Sequence, residues 1–101
     1  MRFLFHEAAE AEFDHAAAYY ESCKPGLGIA FAQEVFATIA LVSTHPEAGT
    51  PISKNTRRFL VKRFPFGVVY QSKGSTLRVI AVADLRRRPG YWKDRLGPTA
   101  V

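Results

Sequence analysis

Positive charge with interleaved aromatic rings is the chemistry this chain offers most plainly. Of its 14 Lys and Arg residues, 12 follow Ile52, where only Asp84 and Asp94 oppose them, so this half carries +10. The half ending at Ile52 carries −5, with Arg2 and Lys24 against Glu7, Glu10, Glu12, Asp14, Glu21, Glu34 and Glu47. Arg57, Arg58, Lys62, Arg63, Lys73, Arg78, Arg86, Arg87 and Arg88 are interspersed with Tyr70, Tyr91 and Trp92. Guanidinium forks grip phosphate or carboxylate through paired N–H groups, and aromatic rings stack on unpaired bases. The expectation is that these side chains converge on one concave sheet surface that receives an acidic partner, either nucleic acid or an acidic protein segment.

Other chemistries find less support. His6, His15 and His45 fall at a strand end, on a helix and in a loop, and no G-x-S-x-G elbow accompanies them, which argues against a Ser-His-Asp site. The acids cluster on the first helix, where a solvated face and compensation of the helix dipole account for them. Cys23 is the only cysteine and has no resolving partner, so it reads as a helix residue; it shows no metal-ligand spacing with the histidines. Gly26-Leu27-Gly28 precedes a helix but follows another, which makes it a hairpin turn and not a phosphate loop. No metal and no cofactor is expected.

These residues must be held by a small scaffold. A chain of 101 residues and 11.3 kDa, 48% hydrophobic, suits one domain spanning residues 1–101. Glu34 and the basic residues interrupt its apolar runs, and Met1 to Glu7 lacks a secretory apolar region, so the expected protein is cytoplasmic with no membrane partner. Arg2 to His6 alternates as a first strand. From Glu7, Ala9, Phe13, Ala16, Tyr20 and Cys23 recur at helical spacing until Lys24-Pro25-Gly26 stops the run. Phe31, Val35, Ile39 and Val42 then line a second helix that ends at Thr44-His45-Pro46, and so short a turn makes an antiparallel helical hairpin. Ser43 to Thr56 reads as an ordered loop. Strands over Arg57–Phe64, Phe66–Ser72 and Thr76–Ala83 form an antiparallel meander, the last central and buried on both faces, followed by a short helical turn near the end. The class is α+β: an N-terminal strand, then an αα-hairpin packed on a twisted, mainly antiparallel sheet in the order β-α-α-β-β-β.

That order resembles the RelE/ParE superfamily of type II toxin–antitoxin toxins, and local stretches carry the resemblance along nearly the whole chain. They are Tyr19-Tyr20-Glu21, Gly28 with Phe31 and Glu34, His45-Pro46-Glu47-Ala48-Gly49, Arg57-Arg58-Phe59-Leu60-Val61, Phe64-Pro65-Phe66, Val68-Val69-Tyr70, Val79-Ile80-Ala81-Val82-Ala83 and Arg86-Arg87-Arg88-Pro89-Gly90-Tyr91-Trp92. The resemblance implies one of two targets. The RelE branch cleaves mRNA on the ribosome with basic residues and a C-terminal aromatic, which would place Arg58, Lys62, Arg86 and Tyr91 in catalysis. The ParE branch, known for plasmid stabilisation, poisons DNA gyrase without established catalytic residues.

Two positions depart from the RNase pattern, because Gly67 stands where an arginine is expected and Leu60 where a lysine is expected. Loss of one guanidinium facing a charged transition state costs roughly 10²-fold in rate, so the resemblance favours the ParE branch. It implies target or antitoxin contacts from Arg57, Arg58, Arg63, Tyr70, Arg78, Arg86, Arg87, Arg88, Tyr91 and Trp92. It also implies a ParD-like antitoxin that folds on binding, and assembly into a heterotetramer or larger. A non-toxic member that only binds its antitoxin is the third alternative.

Overall fold

In the computed structural model, which describes residues 2–96, strand β1 (Arg2–Phe5) leads into helix α1 (Glu7–Cys23). His6 is not the strand's last residue, as its sequence suggested, but the N-cap of α1. Its Nδ1 accepts from the Ala8 N–H at 3.0 Å and satisfies one of the amides left open in the first turn.

Helix α2 (Leu27–Thr44) follows within three residues. Gly26 makes the reversal at φ +88°, in the left-handed region that glycine enters without strain. Glu21 reaches over the turn and accepts from the N–H groups of Gly26 and Gly28, each at 3.0 Å, so a side chain of α1 caps the start of α2. A Cβ at Gly28 would lie 2.5 Å from the Ala17 carbonyl oxygen, so the helices touch there only because that side chain is missing. By length and composition α2 is apolar enough to cross a membrane, contrary to the sequence-based expectation. Here it buries Phe31, Val35, Ile39 and Val42 against the sheet.

The sheet has strands β2 (Thr50–Ser53), β3 (Thr56–Leu60), β4 (Phe66–Lys73) and β5 (Thr76–Asp84), in the order β1-β5-β4-β3-β2. β1 lies parallel to β5 and the other neighbours are antiparallel. The expected loop over Ser43–Thr56 therefore contains a strand. β2 sits at the sheet edge, where Pro51 removes no hydrogen bond the ladder needs. The first meander strand also ends at Leu60 and not at Phe64. Beyond it the chain turns through Arg63 at φ +71°, while Val61 and Phe64 drop into the core and the Val61 N–H donates to the Phe66 carbonyl at 2.9 Å.

β5 is largely buried, as expected, but the central place in the sheet belongs to β4; β5 lies between β4 and the short β1 and carries a bulge. Val69 pairs with Ala81 but Tyr70 with Val79, leaving Ile80 as the extra residue. Leu77, Val79 and Val82 consequently face the helices, while Ile80, Ala81 and Ala83 face away. Two cores result. On the helix side Phe31 packs 5.2 Å from Phe64 and 5.0 Å from Phe66, ring centre to centre. On the open side Val69, Ile80, Ala81 and Ala83 are roofed by Trp92, which the segment after β5 carries back over the sheet into a 3₁₀ turn at Lys93–Leu96.

Candidate functional site

β1 covers β5 only from Thr76 to Val79, so the last half of β5 has a free edge. Unpaired strand edges invite association with other chains; here side chains occupy part of this one. Glu12 Oε1, on α1, accepts from the Val82 N–H at 3.1 Å, and Arg95 Nη1 donates to the Ile80 carbonyl at 3.2 Å. The two side chains also pair with each other, Nη1 to Oε1 and Nη2 to Oε2, both at 2.9 Å.

Tyr91 completes the anchor. Its hydroxyl donates to Glu12 Oε2 at 2.7 Å, the Arg87 guanidinium stacks over its ring at 3.7 Å, and that of Arg95 lies 5.1 Å from the ring centre. Burial, and then the adjoining Glu12 carboxylate, push the Tyr91 hydroxyl far above the ordinary tyrosine range. The Glu12 hydrogen bond likewise raises Arg95, which stays charged. This cluster ties the segment after β5 to the first helix.

The basic residues converge only in part, which corrects the sequence-based expectation: Arg58, Lys73, Arg78 and Arg88 share the open face of the sheet, whereas Arg57, Lys62, Arg63 and Arg86 lie elsewhere. Strand alternation separates neighbours: Arg58 lies on the open face, while Arg57 lies on the helix side and donates to the carbonyls of Glu47 (3.1 Å) and Gly49 (2.8 Å). Arg58, Arg87, Arg88, Tyr91 and Trp92 line a hollow of about 240 Å³ on the open face, with Lys93 at its rim. Arg86 belongs instead to a hollow of about 360 Å³ between α1 and β5, with His15, Tyr19, Tyr20 and Phe66. There it forms a double hydrogen bond with Asp84, Nε to Oδ1 and Nη2 to Oδ2, both 2.9 Å, which holds the Asp84 carboxyl below its usual range. Arg78 lines a third hollow with Lys73 and donates to Gln71 at 3.2 Å. Lys62 and Arg63 are exposed in the β3–β4 loop.

Two of the expected contact aromatics are scaffold. Tyr70 is 1% exposed; its hydroxyl donates to the Pro46 carbonyl at 2.8 Å and accepts from the Gly49 N–H at 2.9 Å, pinning the loop after α2. Trp92, 6% exposed, is the roof of the open-side core. Of the four residues an RNase would use, Tyr91 lines both the hollow of Arg58 and that of Arg86, Arg86 is itself paired with Asp84, and Lys62 lines none of the three hollows. Arg58 lies flat across β4, because a Cβ at Gly67 would stand 3.0 Å from its Cγ and 3.1 Å from its Cδ. Among the described residues, no three His, Cys, Asp or Glu side chains gather to hold a metal.

Sequence reasoning assigned Glu12 to the solvated acids and gave Arg95 no role. A signal was present for Glu12, which falls three residues after Ala9 and four before Ala16, inside the buried stripe of α1.

Residues 3–89 match the family described as the ParE toxin of type II toxin–antitoxin system, parDE. No curated protein matches the chain by sequence. Among solved structures, a chain of the chromosomal ParDE TA system from P. aeruginosa superposes with a TM-score of 0.74 at 18% identity, over 85% of this chain and 97% of that one. At this identity the likeness is one of fold.

Proposed function

Because the chain belongs to the ParE toxin family of type II toxin–antitoxin systems, we propose that it arrests growth by binding DNA gyrase and is neutralised by a ParD-like antitoxin. The observation that carries the choice of target is that the RNase set is incomplete, with Arg86 tied to Asp84 and Lys62 outside the hollows that Tyr91 joins. Transition-state stabilisation requires donors preorganised around one developing charge, and here Arg86 is held by Asp84 in one hollow while Arg58 lies in another. A binding toxin needs only a stable surface.

The antitoxin partner is carried across from the family and from the P. aeruginosa ParDE system. The hollow between α1 and β5 suits it, since Ala16, Phe66 and Val82 offer apolar contact beside Tyr19 and Tyr20, with Arg86 and Arg87 at the margin. An amphipathic segment with acidic residues matches that arrangement. Toxin and antitoxin then assemble as a heterotetramer or larger in the cytoplasm.

Purified toxin freed of antitoxin tests the target. Inhibited supercoiling and accumulated gyrase–DNA cleavage complexes are expected; codon-positioned cuts in translated mRNA, with gyrase unaffected, would establish the RNase alternative instead. Unimpaired growth on induction without antitoxin would leave only a non-toxic, antitoxin-binding member.

A further inference from the structure

The two layers of the molecule differ sharply in charge. Helices α1 and α2 carry Glu7, Glu10, Glu12, Asp14, Glu21 and Glu34 and no Lys or Arg. On the opposite face of the sheet, Arg58, Arg88 and Lys93 border one hollow, while Lys54, Lys73 and Arg78 border another. The only acid lining either is Asp84, already paired with Arg86. Among the described residues, none of these six cations forms a salt bridge with a carboxylate.

We propose that this open face of the sheet binds the phosphodiester backbone of duplex DNA. Arg58 on β3 and Arg78 on β5 stand two strands apart and a few residues out of register, which separates their Cα atoms by roughly 12 Å. A duplex offers one negative charge per about 1.7 Å of axis, so cations at that separation each meet a phosphate. The acidic helical layer repels the same polyanion and leaves the open face as the side that approaches it.

The aromatic side chains select duplex over single strand. Recognition of single strands depends on rings on which bases stack, yet Trp92 is buried under the 3₁₀ turn and Tyr91 is held by Glu12 with Arg87 over its ring. The exposed rings Phe3, Tyr19 and Phe36 belong to the helix side, with Phe3 and Phe36 against each other at 6.3 Å. The open face therefore presents cations without stacking platforms, and binding follows the backbone and not the bases.

This inference goes beyond the gyrase reading and stands without it. Fluorescence anisotropy of a labelled 20-base-pair duplex, titrated with the full chain across a salt series, tests it. Three to four neutralised phosphates give a slope of log K against log salt of about −2.7 to −3.6, the same for unrelated sequences. Arg58→Ala, Arg88→Ala and Lys93→Ala combined should flatten the slope by about 2 to 3 and lower affinity more than tenfold at about 50 mM salt, with unchanged circular dichroism. Arg58→Lys and Arg88→Lys combined should retain the slope.

Absence of binding at about 50 mM salt, where non-specific contacts are strong, would overturn the proposal. So would a triple variant that binds like the parent, tighter binding of the single strand, or equal competition by polyglutamate. Gyrase inhibition by a protein without DNA affinity would refute this inference alone, and DNA affinity without gyrase inhibition would refute only the gyrase target.

Discussion

Glu12 and Arg95, 83 residues apart, meet as a two-point ion pair in which the bonded Oε1 and Nη1 also satisfy the free edge of β5 at Val82 and Ile80. The pair does the work of a neighbouring strand where β1 has ended. It also fastens the chain after β5, and with it Tyr91 and the Trp92 roof, to the first helix.

Neutralising one partner of such a pair leaves the other's partly buried charge without its counter-ion. Glu12→Gln should destabilise the protein by about 2–4 kcal/mol in urea unfolding, and Arg95→Met added to it should cost under about 1 kcal/mol more, because the lost interaction is shared. Additive losses would show that the two side chains act independently.

Stability should fall at alkaline pH. Tyr91 is raised by burial and by Glu12, so the folded chain keeps its proton while the unfolded chain releases it near the ordinary value of about 10. The unfolded state then binds fewer protons, and this contribution, fully present below that value, is lost as pH rises above it. Tyr20 and Tyr70 are raised by burial and add to the effect. Tyr91→Phe should lower stability by about 1–2 kcal/mol at pH 7 and make the alkaline decline shallower, as read from melting temperatures between pH 7 and 11.

The acid limb has the opposite sign. Asp84 is lowered chiefly by its hydrogen bond from Arg86, so its contribution is present above the unfolded carboxyl value near 4 and is lost as pH falls through the lower folded value. Arg86→Gln should bring the Asp84 carboxyl back toward its usual range in an NMR titration, with the global fold retained.

Tyr70 and Gly49 should behave as one unit. Tyr70→Phe leaves the Gly49 N–H and the Pro46 carbonyl without their partner, at about 1–3 kcal/mol. Gly49→Ala should be at least as harmful, since its Cβ would lie 2.5 Å from the Tyr70 hydroxyl oxygen. Faster proteolysis between His45 and Thr50 in both variants would accompany the loss of thermal stability.

Much of the scaffold was legible in the residues because short-range patterns dictate it. Ala9, Phe13, Ala16 and Tyr20 at helical spacing, the Lys24-Pro25-Gly26 stop, and the apolar run of β5 required no knowledge of distant partners. β2 escaped because its four residues include a proline and show no clear apolar alternation, although the strand it pairs with, β3, begins only three residues later. The bulge at Ile80 was equally hidden, since an uninterrupted apolar stretch does not reveal where alternation slips.

The charge asymmetry between the halves, the helical hairpin and the family likeness thus belonged to the order of the amino acids. Which cations share a hollow did not. Composition counts guanidinium groups, but strand register sends Arg57 and Arg58 to opposite faces, and the path of the chain after β5 decides that Arg95 is anchored to Glu12 while Arg58 and Arg88 stay open to a partner. Those outcomes depend on contacts across as many as 83 residues, and only the folded chain brings such groups within hydrogen-bond reach.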